Sequence, residues 1–593
     1  MLKNLLGIIA LIVLTAAVFS SGLSGEFILG DSVAIRHNPA MAESNPLKIL
    51  AMGVERHLFP VAKPTPISIL TYRMNIGLAG LNPRAFRMTN LAMHLLSILL
   101  LFFFVHNCLF DKKLAHSLIA CAFFALNPIA VHVISHTSGR PLILAAVFGI
   151  GSMILLSEYR KSGGIWKVIL IGTMAILALM SSLTALVLPF AFLALDSMLY
   201  SGRKVRFLLA FMGLLIPAAI IAVDSVFIIH DNVGILSAVP LENTSAPFLF
   251  MHNFSAVFYP FRLSPFVSPA SIFAAKPFPM ITGAIFSGIV IFSLIKRQAP
   301  KERIPALSLT LISILLVPSI FVPRHGTLEF GALYFPAMFG GVFFAEAIYD
   351  LCRPIRRKFP KLSPEIILSA LLILLMAKTA HLRGFEWTNE ILLAETHIQN
   401  HGESAPVNAS MAKSMLEIDE NHSAIIFANR AVAIDSANSS HWTTLAAAYS
   451  NIGQNKAAMW VLQKYRELAE EEPPEWKHTA AIVHLREGRK DIAKGLFAEA
   501  AEKYPPSNFA LARILFDEGN YIFAVDRLKV AEKKDPFDAK IYYLLSEAYE
   551  ALGDNTSARM AWRRYLELPG IKTAEFVGDE DAPGVIPKRK QED

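Results

Sequence analysis

Apolar and polar positions follow two different rhythms along this chain. Up to about Ala380, runs of roughly 16–22 apolar residues recur, the length an α-helix needs to cross a bilayer. Beyond that point charged residues return every few positions, and apolar residues fall into short helical patterns typical of a water-exposed domain. The runs predict spans at about 5–20, 88–107, 115–133, 140–157, 164–180, 183–200, 207–229, 280–295, 304–321, 330–350 and 364–380. Most connections are short, but 21–87 and 230–279 are long. The second of these contains "HNFSAVFYPFRLSPFVSP", apolar but broken by prolines, which predicts an interfacial or re-entrant segment rather than a span.

From about Ser404 the pattern repeats with a period near 34 residues. Small residues at Ala424, Ala458, Ala493, Ala524 and Ala558 are each preceded, five positions earlier, by a turn residue: Asp419, Gly453, Gly488, Gly519 and Gly553. Seven positions after each small residue stands Ala431, Tyr465, Ala500, Ala531 or Tyr565. This spacing is the signature of tetratricopeptide repeats, helix pairs that stack into a superhelix with a concave groove. The predicted architecture is all-α: a polytopic membrane domain at 1–403, a repeat solenoid at 404–570 and a polar, disordered tail at 571–593.

Loop charge sets the expected orientation. Lys3, Lys112, Lys113, Arg160, Lys161, Arg203, Lys204, Arg206, Lys296, Arg297, Lys301, Arg303, Arg353, Arg356, Arg357 and Lys358 all fall in the alternate loops, which places those loops and the N-terminus in the cytoplasm and the repeats outside it. The first run also fits a cleaved signal peptide; a retained helix is favoured, and the topology is the same either way. With 54% hydrophobic and 17% charged residues and a mean hydropathy of +0.46, most of the chain is read as lipid-embedded. The formal net charge of +7 is then a topology signal, and no aromatic-interleaved basic patch points to nucleic acid. Cys108, Cys121 and Cys352 form no disulfide or zinc pattern, and His37, His132, His136 and His325 are too scattered to predict a metal cluster.

Several stretches, taken in order, resemble the transmembrane and tetratricopeptide-repeat O-mannosyltransferases and their bacterial relatives in the glycosyltransferase C superfamily. They are "FILGDSVAIRHNPAM" (family form close to FVYDDxxAIxxNxxI), "ISILTYRMNIGLAGLNPRAFRMTNLAMHLL", "ALNPIAVHVISHTSGRPLILAAVF", "LALMSSLTALVLPF", "FYPFRLSPF", "LYFPA" and "RGFEWTNEILLAETHIQNH". The resemblance implies sugar transfer from a polyprenyl-phosphate donor to a hydroxyl on the non-cytoplasmic face of a membrane, for a bacterial relative the inner membrane. It also implies that the acid after the first span, Asp31, acts as base. The chain departs from the family pattern in several places. Gly30 stands where a second acid is usual, and Asn127-Pro128 and His132 replace a His-Pro and a following Glu. Ser181, Ser182 and Leu183 replace Ser-Lys-Glu, and "LEFGALYFPA" keeps only Glu329 of an expected Glu-Arg.

Asp31 fits the chemistry because a serine or threonine hydroxyl needs a carboxylate to take its proton, and inversion at the anomeric carbon needs only one such base. A helix-capping or turn role fits "GDS" as well. Arg140, at the start of a span, is the expected ligand of the leaving phosphate or else a snorkelling membrane anchor. Arg324 and His325 come next as donor-phosphate ligands, and Lys63, Arg73, His94 and Glu329 complete the candidate substrate-binding set. No cofactor beyond the lipid-linked sugar is expected. The membrane half has no Asp-x-Asp pair, so a divalent metal is not expected either. The repeats are expected to bind an exported acceptor or envelope protein. Two other functions suit the same layout: a membrane-anchored repeat scaffold that has lost its chemistry, and a ligase or polymerase of lipid-linked glycans.

Overall fold

The computed structural model describes residues 2–43, 45–51, 65–200, 245–261, 263–266, 303–320, 330–469 and 472–568, and the fold is all-α. The expected spans at 207–229 and 280–295, most of the second long loop and the tail 571–593 lie outside the described residues. Among the described residues, five helical segments are long and apolar enough to cross a bilayer: Leu5–Gly22, Pro83–Leu109, Thr137–Ser162, Phe330–Lys358 and Pro364–Glu386. The expected span at 115–133 is instead a bent pair, Leu114–Ala125 and Pro128–Ile134, turned by 44°. The break has a local cause. Pro128 holds Asn127 in an extended conformation, and the Asn127 side chain then accepts a hydrogen bond from the Ile129 N–H at 3.0 Å, capping the new turn. The runs at 164–180, 183–200 and 304–321 form apolar helices shorter than a full span.

In the membrane half the helices are α1 (Leu2–Phe19), α2 (Asp31–Ile35), α3 (Pro46–Ala51), α4 (Pro66–Ala79), α5 (Pro83–Phe104), α6 (Leu114–Ala125), α7 (Val131–Ile134) and α8 (Arg140–Ser162). They continue as α9 (Ile165–Ser181), α10 (Leu188–Leu199), α11 (Ser245–Phe258), α12 (Arg303–Leu316), α13 (Tyr334–Lys358) and α14 (Pro364–Glu386). Among the described residues, the basic stretches at 112–113, 160–161 and 353–358 gather at one end of the bundle. There His116 stacks on Tyr349, Arg356 pairs with Glu365 at 3.1 Å, and Arg160 pairs with Asp196 at 2.7 Å. At the other end the C-termini of α1 and α14 lie against each other through Gly22 and Gly384. A Cβ added at Gly22 would stand 2.2 Å from the Ser135 hydroxyl and 3.2 Å from the Gly384 backbone.

The long helix α14 leads through α15 (Glu390–His401) into five helix pairs. These are α16 (Ala405–Glu417) with α17 (Asn421–Ile434), α18 (Ser439–Asn451) with α19 (Asn455–Leu468), and α20 (Pro474–Arg486) with α21 (Lys490–Ala501). The last two are α22 (Pro506–Asp517) with α23 (Tyr521–Lys534), and α24 (Ala539–Ala551) with α25 (Asn555–Glu567). Each expected turn residue adopts the left-handed conformation, Asp419 (φ 62°) included, and each expected small residue is at most 1% exposed. The repeat spacing thus reads directly as tight turns and close helix contacts.

The solenoid touches the membrane half at both of its ends. Leu393, Ala394, Val407 and Met411, from α15 and α16, belong to the core of the bundle. At the far end, Leu528, Ile541, Leu545 and Leu568 share one apolar core with Ile35, Met41, Ile69, Tyr72 and Phe86 of the first long loop and its flanks. His37 and Asp535 pair across this seam at 2.6 Å.

Burial against Phe497 and Tyr504 pushes the His478 imidazole down to about 4. The folded form therefore binds fewer protons than the unfolded chain between that value and the ordinary one near 6.5. Stability of this part of the array is full above about pH 6.5 and is lost as the pH falls through the window, by about 2 kcal/mol at pH 5. Hydrogen exchange across 474–517 in the full chain at pH 7 and pH 5 should show the loss, and His478→Asn should flatten it. Equal protection at both pH values would rule this out.

Candidate functional site

Asp31 opens α2 directly after two residues with positive φ, Leu29 at 49° and Gly30 at 83°. A bulky residue in that region is strained, and such strain concentrates at functional positions. Gly30 adopts a backbone conformation that glycine enters without a side-chain penalty. The preceding segment is held by α15. The Leu29 N–H donates to the Glu390 carboxylate at 3.0 Å, Ser410 of α16 donates to the same carboxylate, and Glu26 N–H donates to the Thr388 carbonyl at 3.3 Å.

The Asp31 side chain is fully buried. One oxygen accepts from the Ser138 N–H at 2.7 Å and the Ser138 hydroxyl at 2.5 Å, with His136 Nε2 3.4 Å away. The other oxygen accepts only the Thr137 N–H, at 3.1 Å, among the described residues. A carboxylate oxygen has two acceptor sites, so one remains uncommitted at that oxygen. The donors come from the turn that starts α8, and the charge therefore also caps the positive end of that helix.

Around this turn, α5 presents a stripe of buried polar residues at Arg87, Asn90, His94 and Ser97. Arg87 donates to the carbonyls of Gly22 at 3.2 Å, Ser24 at 2.5 Å and Glu26 at 2.6 Å, fixing the chain that leaves α1. Arg140 is fully buried as well. Its Nε donates to the Asn90 side chain at 2.7 Å, and its two Nη atoms donate to the Thr71 hydroxyl at 3.3 Å and the Phe86 carbonyl at 3.0 Å. Its guanidinium lies 4.4 Å from the centre of the Tyr72 ring, whose hydroxyl donates to the Thr137 carbonyl at 2.9 Å. Asp31 and Arg140 are thus two sides of one turn, joined through residues 136–140.

The other expected positions divide. His94 lies deeper in the bundle, between the Tyr334 hydroxyl at 2.7 Å and the Ala125 carbonyl at 3.1 Å, where it ties α5 to α6 and α13. Arg73 donates to the Met41 carbonyl at 2.6 Å and steadies the first loop. Lys63, Arg324, His325 and Glu329 lie outside the described residues. Sequence reasoning missed Arg87, Asn90, Tyr72, Ser138 and, beyond them, Arg383, which donates to His132 Nε2 at 3.2 Å while Trp387 packs against both His132 and His136. The signal for Arg87 and Asn90 was their spacing with His94 on one face of an apolar helix, since polar groups in a span are rarely incidental. Among the described residues no group of three or more His, Cys, Asp or Glu is placed to hold a metal ion.

No family model matches the chain. Two kinds of likeness to known proteins are found. The chain is 29% identical over 157 residues to protein O-mannosyl-transferase TMTC3 of Mus musculus, covering 25% of this chain and 16% of that protein. It is 29% identical over 153 residues to protein O-mannosyl-transferase TMTC1 of Homo sapiens, covering 24% and 17%. The match therefore spans about a sixth of these relatives' length. Among solved structures, MamA is 18% identical, covering 28% of this chain and 92% of that one at a TM-score of 0.23. YrrB, described as a tetratricopeptide-repeat protein with an unusual peptide-binding site, is 17% identical, covering 30% and 92% at a TM-score of 0.22.

Proposed function

We propose that this chain is a membrane glycosyltransferase that moves a sugar from a polyprenyl-phosphate donor to a hydroxyl of an exported protein. The observation that carries the reading is Asp31, a fully buried carboxylate with an uncommitted acceptor site, set among the buried guanidinium groups of Arg87 and Arg140 at the repeat-bearing end of the bundle. A cation-rich, water-excluded seat favours a ligand that gains negative charge as it reacts. The acceptor oxygen attacks the anomeric carbon and its proton passes to Asp31. The bond from that carbon to the phosphate oxygen breaks, and polyprenyl phosphate leaves with the electron pair. The likeness to the O-mannosyl-transferases supports the reaction class. The gathering of basic loops at the far end supports placing the site and the repeats on the non-cytoplasmic face. The repeats then hold the acceptor, using the part of the array left free by the seam with the first loop.

One observation favours a second reading, a membrane-anchored scaffold: the Asp31 carboxylate caps the start of α8, which by itself accounts for its burial. Reconstitution of the full chain in vesicles separates the two. Polyprenyl-phosphate hexoses and a Ser/Thr-rich polypeptide supplied on the repeat side should yield glycosylated polypeptide, and the same reagents on the opposite side should not. A chain that is inert toward every donor from either side is a scaffold.

A further inference from the structure

Two segments, 132–137 and 383–387, face each other beside Asp31 and carry an excess of hydrogen-bond donors. Arg383 is 7% exposed, and its Nε has no partner. The indole Nε1 of Trp387, at 1% exposure, and the Ser135 hydroxyl, fully buried, have none either. His136 Nε2 makes no hydrogen bond, although it stands 3.4 Å from Asp31. The rings of His132 and Trp387 are 4.9 Å apart and those of His136 and Trp387 are 5.5 Å apart, so these groups form one cluster. Buried donors left unpaired are costly, and a buried guanidinium more so. Glu386 lies near Arg383 but makes no ion pair with it among the described residues, so the guanidinium keeps donor capacity for an anion.

Arg140 does not show this deficit, because three of its five N–H groups are already engaged and an aromatic ring covers its face. Arg383 also sits where α14 reaches the end of the bundle. Ile367, Leu371, Leu374, Leu382 and Phe385 expose apolar side chains on the opposite face of that helix.

We propose that Arg383 and Trp387 form the seat of the donor's phosphate, beside Asp31. This rests on the sugar-transfer reading above and moves the phosphate from Arg140 to the end of α14. The test is binding of a short-chain polyprenyl phosphate to the purified full chain in detergent, with inorganic phosphate as a parallel probe. Arg383→Gln should weaken polyprenyl-phosphate binding by about 10–100-fold, the loss of one charge-assisted bond, and Trp387→Phe by about 3–10-fold. Trp387→Phe removes the donor while keeping an aromatic ring in place, so it decides the matter if Arg383→Gln fails to fold. Unchanged affinity in Trp387→Phe together with a folded, unaffected Arg383→Gln places the phosphate elsewhere and overturns the assignment, while sugar transfer by the wild-type chain would leave the enzymatic reading standing. Inorganic phosphate binding as tightly as the lipid, with the same losses, marks a free-phosphate site and overturns the donor assignment.

Discussion

Asp31→Asn should lower sugar transfer by about 10²–10⁴-fold, the usual cost of losing a general base. The substitution keeps the volume, and its carbonyl can still accept from Ser138. Its amide, however, must then face the Thr137 N–H that now donates to the carboxylate at 3.1 Å. That donor-to-donor contact costs about 1–3 kcal/mol, so a fall in activity has to be measured per folded molecule. Ser138→Ala supplies the comparison, since it removes a 2.5 Å bond to the carboxylate without removing the carboxylate. If Asp31 is a base, Asp31→Asn abolishes transfer in the folded fraction and Ser138→Ala leaves most of it. If Asp31 only caps α8, both variants lower the melting temperature and neither changes transfer per folded molecule. Vesicle transfer assays paired with thermal unfolding in detergent give the two quantities.

Arg140→Ala should unfold the site before it affects any donor. The truncation leaves the Asn90 carbonyl oxygen and the Phe86 carbonyl without the charged donor they now share, and strips a cation from the Tyr72 ring. Hydrogen bonds to a buried charged group are worth about 1.5–3 kcal/mol each, and leaving their partners unpaired makes about 3–5 kcal/mol a reasonable total. Arg140→Lys should recover only part of this, because an ammonium cannot reach three partners in a plane. The measurement is the yield of monodisperse protein and its melting temperature. Wild-type stability with selectively weakened donor binding would instead restore Arg140 as a phosphate ligand.

The repeats were legible because their signal is periodic: a left-handed turn and a buried alanine recur at fixed offsets, and each is dictated by local geometry. Five of the expected spans were legible as long apolar runs, while a single Asn-Pro step split another and the runs at 164–180, 183–200 and 304–321 gave helices shorter than a full span. Asp31 stood out as an acid just beyond an apolar run, but the strained backbone at Leu29 that helps present it has no sequence signature. Arg383 was hidden for a different reason. It meets His132 across 251 positions of sequence, and neither residue is unusual in its own segment. The apolar residues of the first loop, Ile35, Met41 and Ile69, are spaced too irregularly to announce a partner, so their burial under the last repeats could be seen only in three dimensions.

That seam has a consequence for how the chain is made. His37 and Asp535 are 498 positions apart, and the loop carrying Asp31 finishes its apolar core only against the last two helix pairs. At about 5–20 residues per second, a ribosome needs roughly 25–100 s to deliver the second half of that contact. Through that interval the loop waits beyond the first helix with Ile35 and Met41 uncovered, while every later span is threaded into the membrane. The end of the molecule that carries Asp31 is therefore the first part synthesised and among the last to be closed, so a truncated or stalled chain carries Asp31 without the surface that holds its loop in place.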